Sequence, residues 1–302
     1  MHYEYPLTIL TPTYNRAKYL KRLYESLNEQ TVKSFQWLVI DDGSTDETEE
    51  TVHSFTKHTY LVNYKKKPNG GKHTALNYSH PYIKGEMVCI VDSDDWLLPN
   101  AVEEILKMKQ KYFKTDSILM FVFLKGYSEK EAVCNTFPDG ISISNRIDFI
   151  INAHRNGDCC EVVATDELTK YPFPEYADEK FLGEGYLWNR VGFKCKTAYI
   201  NKVLYICEYL EGGLSKSGRR LRIKCPKGGM ENCNSFFYSS DCNRIDKTVL
   251  RKEAILFVCY GKFAKYSYEQ IIEKCYRKDY AKKYYIAGYL LYRYWKWKYK
   301  DL

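Results

Sequence analysis

Long apolar runs are missing from this 302-residue chain. The longest cover residues 118–124 and 284–291, with Tyr292 beside the second. Both fall far short of the ~20 residues that span a bilayer. Glycine and proline are sparse, at 17 and 9 residues, which excludes collagen-like and low-complexity chains. CxxC and HxxxH spacings are absent, so the eleven cysteines do not read as a structural zinc site. Their density is also too low for a disulfide scaffold. The first residues carry no charged n-region and no apolar h-region, which predicts no signal peptide, reduced thiols and a cytoplasmic location. Apolar residues at 45% and charged residues at 28% indicate a folded globular chain rather than a disordered one. The length suggests one large domain, or one domain with an appendage.

Charge is unevenly placed. Residues 1–215 hold 25 basic and 30 acidic side chains, and residues 216–302 hold 21 basic and 8 acidic. The net +8 of the chain therefore lies wholly in its last 87 residues. That asymmetry points to a membrane surface, a polyanion or an anionic substrate near the C-terminal part. A division into a domain over 1–215 and a basic, aromatic-rich helical region over 216–302 follows.

The first half alternates strand and helix signals. Apolar strands are predicted at 7–11, 37–40, 60–64, 87–91 and 117–125. Helices are predicted at 18–29, 45–55, 72–82 and 100–112. Strands separated by helices of about a dozen residues argue for βαβ units and a mostly parallel sheet. Polar clusters follow three strands directly, at 11–15, 41–44 and 92–95. In such sheets ligands bind beyond the carboxyl ends of the strands, so the clusters should meet at one edge. Residues 215–227 read as a basic, glycine-containing loop or linker. Helices are expected near 229–240, 246–264, 267–276 and 279–299.

Asp92-Ser93-Asp94-Asp95 places carboxylates at i and i+2 on a turn, an arrangement that suits Mg²⁺ or Mn²⁺ with phosphate oxygens completing the shell. The blander reading is a solvated acidic turn. Asn69-Gly70-Gly71-Lys72 is a glycine turn opening a helix, and its backbone amides can cradle an anion. It lacks the spacing of a Walker loop. Glu211–Arg220 is glycine-rich and basic, either a lid whose Ser215, Lys216 or Arg219 reaches phosphate or a plain linker.

Taken in order, these segments resemble family 2 glycosyltransferases of the GT-A fold, a Rossmann-like αβα architecture. The matching stretches are Thr11-Pro-Thr-Tyr-Asn15, Val39-Ile-Asp-Asp-Gly-Ser-Thr-Asp46, Asn69-Gly-Gly-Lys72 with Ala75 and Asn77, and Val91-Asp-Ser-Asp-Asp-Trp96. The resemblance covers residues 5–130, and 173–190 with 205–217 resemble the acceptor half of bacterial members. It implies a UDP-sugar donor. Thr11, Pro12, Tyr14 and Asp41 fall where the family holds uracil and ribose. Gly71, Lys72, Ala75, Asn77 and Ser93 fall on nucleotide-binding positions, joined by Ser215 and Lys216 if the lid reading holds. Asp92 and Asp94 fall on the metal-binding DxD, with Mn²⁺ or Mg²⁺ as cofactor and Asp94 as the better ligand.

Inverting members use a carboxylate base, often the Asp of a Glu-Asp pair. Here the stretch reads Phe181-Leu-Gly-Glu184-Gly185-Tyr186, with Gly in place of that Asp. Glu184 is the first candidate, with Asp178 and Glu179 as alternatives. The implied acceptor is a glycan or lipid-linked glycan of surface-polysaccharide or teichoic acid synthesis.

The C-terminal run Tyr292-Arg-Tyr-Trp-Lys-Trp-Lys-Tyr-Lys300 interleaves rings and cations. It suits an anionic membrane interface on the inner face of the cell membrane, or a helical bundle that packs on the first domain or on a second copy. Two other classes compete. A sugar-phosphate nucleotidyltransferase opens with a glycine-rich loop after its first strand, and residues 11–16 contain no glycine. A nucleic-acid-binding protein would use the basic tail, but no RNA-binding motif accompanies it, so no nucleic-acid partner is expected.

Overall fold

Apolar β-branched runs and amphipathic helices alternate through the first half of the chain, and the chain folds accordingly. The computed structural model describes residues 3–113, 118–208 and 214–301, without the side chains of 214–217. Contacts divide the chain into two units. Unit 1 comprises Met1–Asn145, Arg155–Pro172 and Lys194–Glu208, and unit 2 comprises Arg146–His154, Phe173–Phe193 and Tyr209–Leu302. Segments 146–154 and 173–193, placed in the first domain from the sequence, thus join the second unit.

Unit 1 contains β1 (Tyr5–Thr13), α1 (Ala17–Asn28), β2 (Gln36–Asp41), α2 (Thr48–His53), β3 (Leu61–Lys66), α3 (Lys72–Ser79) and β4 (Gly85–Ile90). There follow β5 (Trp96–Leu97), α4 (Ala101–Tyr112), β6 (Ile118–Ser128), β7 (Glu131–Ala132), β8 (Ile141–Ser144), β9 (Cys159–Ala164), α5 (Thr165–Thr169) and β10 (Lys196–Ile206). The sheet order is β3-β2-β1-β4-β9-β6-β10-β5, with β7 on β6 and β8 on β10. Strands β3, β2, β1 and β4 are mutually parallel, as expected. Beyond them β9 runs antiparallel to both β4 and β6, so the sheet is mixed.

Burial explains the arrangement. Strand β2 is buried at every position, and α1 sets Leu20, Leu23 and Leu27 into the core. Each such side chain contributes about 1.5–3 kcal/mol when removed from water. Chain order reverses at β1, whose neighbours are β2 on one side and β4 on the other. The loops after β1 and β4 therefore flank a topological switch point.

Unit 2 is helical: α6 (Gly185–Gly192), α7 (Leu214–Lys224), α8 (Pro226–Asn234), α9 (Lys247–Phe263), α10 (Tyr268–Lys274), α11 (Lys278–Lys283) and α12 (Tyr285–Lys298). Its core gathers Ile147, Ile223, Phe257, Val258, Ile271 and Trp295. The loop expected at 215–227 is helical instead, because Ile223 is drawn into this core. A break at Gly218 (φ 14°, ψ −91°) interrupts that helix. The helix expected over 279–299 divides at Tyr284 into α11 and α12. Helix α12 presses on α9 through Gly288, where an added Cβ would lie 2.6 Å from Val258 Cβ.

Candidate active site

Parallel pairing carries the carboxyl ends of β1, β2, β3 and β4 to one edge of unit 1, and hydrogen bonds join the loops there. Asn15 adopts a left-handed conformation (φ 51°) that Asn tolerates well. Its N–H donates to Ser44 Oγ (2.9 Å), and its side-chain oxygen accepts from Thr45 N–H (2.8 Å). Ala17 N–H donates to Asp46 Oδ2 (3.2 Å). Tyr14, beside Asn15, is 46% exposed. Thr11 and Pro12 are buried, and the Thr11 hydroxyl accepts from the Trp37 indole (3.0 Å). Thr11 therefore shapes the sheet under the site, with its hydroxyl engaged by Trp37.

Asp41 is likewise enclosed, fully buried, and its carboxylate accepts from Ser44 N–H (2.7 Å) and the Tyr64 phenol (2.5 Å). Burial and the bond to Asp41 push the Tyr64 phenol well up. Asp41 positions the turn after β2 through these two bonds. Asp41→Ala strips both donors of their shared acceptor, so stability should fall by about 3 kcal/mol, the scale of hydrogen bonds to a buried charge. A thermal melt within a degree of wild type would rule out that positioning role.

Asp42 reveals what the glycine turn holds. Its Oδ1 accepts from Lys67 Nζ (2.7 Å) and Gly70 N–H (2.9 Å). Its Oδ2 accepts from Gly71 N–H (2.6 Å) and Asn69 Nδ2 (3.1 Å). The anion in the expected cradle is thus a side chain of the protein itself. Gly71 caps α3, from which Lys72 points back to the end of β4. Ala75 is buried on α3 and Asn77 is half-buried.

The turn after β4 carries the densest charge. Lys72 bonds Asp92. Asp94 Oδ2 lies 3.8 Å from Arg16 Nε, and Arg22 donates to the Asp94 carbonyl (2.5 Å). Beneath them Asp95 accepts from the Tyr205 hydroxyl (2.7 Å) and Glu208 N–H (3.2 Å), with Lys125 Nζ at 3.5 Å. Asp92 N–H donates to Tyr205 Oη (2.9 Å), which ties the turn to β10. Ser93 is buried within the turn.

Electrostatics differ among the three carboxylates. Burial alone would raise Asp92, but Lys72 and Lys125 outweigh it and hold Asp92 below the ordinary range. Burial and then the charge of Asp92 raise Asp94. Burial lifts Asp95 to about 6 against the pull of Lys125. Asp92 and Asp94 offer hard oxygen donors whose mutual repulsion a divalent cation relieves, so the pair fits Mn²⁺ or Mg²⁺. Among the described residues no third His, Cys, Asp or Glu joins them. Water and diphosphate oxygens would have to complete such a shell.

Unit 2 carries the three candidate bases. Asp178 is exposed and held by Lys227 Nζ through both oxygens (2.6 Å each). Glu179 is buried and accepts from Lys227 N–H and Gly228 N–H (2.8 Å each) at the start of α8. Burial raises its carboxyl despite those bonds. Both alternatives thus anchor α8. Glu184 is half-buried and precedes α6, where its carbonyl accepts from Leu187 and Trp188 N–H groups. Residues 211–213 and the side chains of Ser215 and Lys216, proposed as a phosphate-reaching lid, lie outside the described residues.

Sequence reading missed Tyr64, Lys67, Lys125 and Tyr205, whose partners lie 23 or more residues away. Arg16 had a signal, since it directly follows Asn15 in the first cluster.

Comparison with known proteins agrees with this geometry. Residues 8–147 match glycosyl transferase family 2. The chain is 35% identical over 139 residues to the chondroitin synthase of Pasteurella multocida, covering 46% of this chain and 13% of that protein. It is 28% identical over 207 residues to a Campylobacter jejuni protein, the GalNAc(5)-diNAcBac-PP-undecaprenol beta-1,3-glucosyltransferase, covering 66% of this chain and 63% of that one. Residues 1–349 of S. aureus TarS, solved with UDP-GlcNAc, superpose with a TM-score of 0.65 at 18% identity, covering 98% of this chain and 91% of that one. Unit 1 has the GT-A fold, and the match to glycosyl transferase family 2 spans residues 8–147, a little under half of the chain.

Proposed function

We propose that the chain is an inverting glycosyltransferase, moving a sugar from a UDP-sugar to an acceptor hydroxyl in cell-surface polysaccharide, teichoic acid or lipid-linked oligosaccharide synthesis. One observation carries the reading: Asp92 and Asp94 stand beside Lys72 and Arg16 at the switch-point edge. Paired carboxylates with flanking cations suit a diphosphate and its counter-ion, and TarS, of the same fold, has been solved with UDP-GlcNAc. Asp94 and Asp92 would hold Mn²⁺ or Mg²⁺, whose charge offsets that building on the diphosphate as it leaves. Lys72 and Arg16 add fixed positive charge at the same place. Exposed Tyr14 lies at the mouth of the site for the uridine, while Asp41, Asp42 and Thr11 keep the loops in register. Glu184 takes the proton of the acceptor hydroxyl as that oxygen bonds the anomeric carbon. The bond from that carbon to the diphosphate oxygen breaks, UDP departs and the anomeric configuration inverts. A UDP-release screen across nucleotide sugars, with Mn²⁺ and with EDTA, tests the reading. Release from GDP-sugars alone would refute the uridine donor.

The C-terminal helix points to where an acceptor is met. On α12, Ile286, Leu290, Tyr294 and Trp297 form an exposed row at helical spacing, 75%, 61%, 49% and 70% exposed. Residues 280–300 contain six cations and no acid. Among the described residues no helix is long and apolar enough to cross a membrane. An apolar row edged with cations suits an anionic bilayer surface, which supports reading the chain as a peripheral protein on the inner face of the cell membrane, where it would meet a lipid-linked acceptor. Leu290→Glu with Trp297→Glu should weaken sedimentation with phosphatidylglycerol vesicles at least about tenfold while leaving turnover on a soluble acceptor intact. Unchanged vesicle binding with loss of a dimer would make the row a contact between copies.

A further inference from the structure

A cavity of about 500 Å³ lies among the helices of unit 2, within the ~300–1,000 Å³ of ligand pockets. Its wall is cationic. Arg219 and Arg222 of α7 line it, with Arg251 and Lys252 of α9. Among the described residues the only acidic one in the lining is Glu253, whose Oε1 lies 3.6 Å from Lys252. Among the described residues, no carboxylate pairs with Arg219, Arg222 or Arg251. Arg219 and Arg251 are exposed and Arg222 is half-buried, with the Glu253 carboxylate within reach of the Arg222 charge, so this wall carries a surplus of positive charge that favours an anion.

Two further features narrow the ligand. Trp295 supplies an aromatic wall, with the Arg219 guanidinium 5.0 Å from its ring centroid. Asn232, also in the lining, has its Oδ1 only 3.1 Å from where a Cβ on Gly185 would sit. The cavity thus borders the turn that carries Glu184. Guanidinium forks match phosphate oxygens bidentately, and an aromatic wall suits a polyol or sugar carbon skeleton.

We propose that this cavity is an acceptor subsite for a phosphate ester, taking the phosphate group of a phosphorylated glycan or polyol chain whose hydroxyl is glycosylated. The proposal rests on the acceptor reading above. Glu253 is the acid in the wall, and its carboxylate opposes the anion.

Calorimetric titration of the full chain with glycerol 3-phosphate tests the proposal, with glycerol, inorganic phosphate and UDP as separate arms. Saturable binding of glycerol 3-phosphate is expected, and none of glycerol. Arg222→Gln with Arg251→Gln should weaken it about tenfold or more, whereas Glu253→Gln should tighten it. UDP affinity should stay at the wild-type value in all variants. If the double variant melts early, the Glu253→Gln arm decides alone. Absent binding, equal binding by every variant, or inorganic phosphate binding as tightly as the ester would each overturn the assignment. So would displacement of glycerol 3-phosphate by UDP, which would give the cavity to the donor diphosphate. Loss of UDP binding and release with glycerol 3-phosphate binding intact would instead sink the glycosyltransferase reading and spare the anion site.

Discussion

Asp94→Ala should lower sugar transfer about 10²–10⁴-fold, the effect of losing several kcal/mol of charge stabilisation on the leaving diphosphate. Asp94 is the carboxylate of the pair that is not tied to Lys72, and its nearest cation, Arg16, stands 3.8 Å away. Its backbone carbonyl accepts from Arg22, a contact the substitution leaves in place. The fold should therefore survive, and a thermal melt near wild type is part of the expected result. Metal-dependent UDP binding should weaken in parallel, read by titration with and without Mn²⁺. Full turnover in the variant, or in wild type after EDTA, would remove Asp94 from the chemistry. Lys72→Gln provides a contrast. It frees Asp92 from its partner while removing a cation aimed at the same edge, so donor affinity should fall with both carboxylates retained.

The placement of these groups is largely legible in the sequence, for a physical reason. Strand and helix periodicities are local signals, and parallel strands deliver their carboxyl ends to one edge whatever the details of packing. Residues 11–15, 41–44 and 92–95 could therefore be brought together from sequence alone. What each member does there was less legible, because that depends on partners far along the chain. Asp41 reads as a ligand contact in the sequence, where nothing announces the bonds that Tyr64 and Ser44 donate to it. The Asn69-Gly70-Gly71 turn reads as a cradle for a bound anion, and the structure places the Asp42 carboxylate on its amides. Nothing near Asp95 in the sequence announces Tyr205, which is 110 residues away. Long-range geometry also hid the division into units. Segment 146–154 contributes Ile147 and Ile151 to the helical core, a contact no local pattern encodes. The antiparallel insertion of β9 between β4 and β6 escaped for the same reason.

Glu184→Gln should lower the rate of transfer about 10²–10⁴-fold, the usual contribution of a positioned base, with donor affinity near wild type. The substitution keeps the shape of the side chain and removes its ability to take a proton. Glu184 stands first among three carboxylates because the other two hold structure. Asp178 is exposed and engaged by Lys227, and an exposed pair contributes little to stability, so Asp178→Asn should change neither rate nor melting appreciably. Glu179 is buried against the first amides of α8, where its two oxygens accept from Lys227 and Gly228 N–H groups and an amide would offer only one acceptor oxygen. Glu179→Gln should accordingly melt earlier, with any loss of rate following the loss of folded protein. Gly185 explains how the role can rest on Glu184 without the Asp that often follows it. A Cβ at 185 would meet Asn232 Oδ1 at 3.1 Å, so a side chain from α8 borders the space an Asp would enter. Gly185→Asp must push Asn232 aside, and it offers a rescue test in the Glu184→Gln background. Recovery of rate would show that a carboxylate at either position of this turn serves as base. An unchanged rate in Glu184→Gln itself would take the base away from this turn altogether, and a rate lost in Asp178→Asn at wild-type stability would move it there.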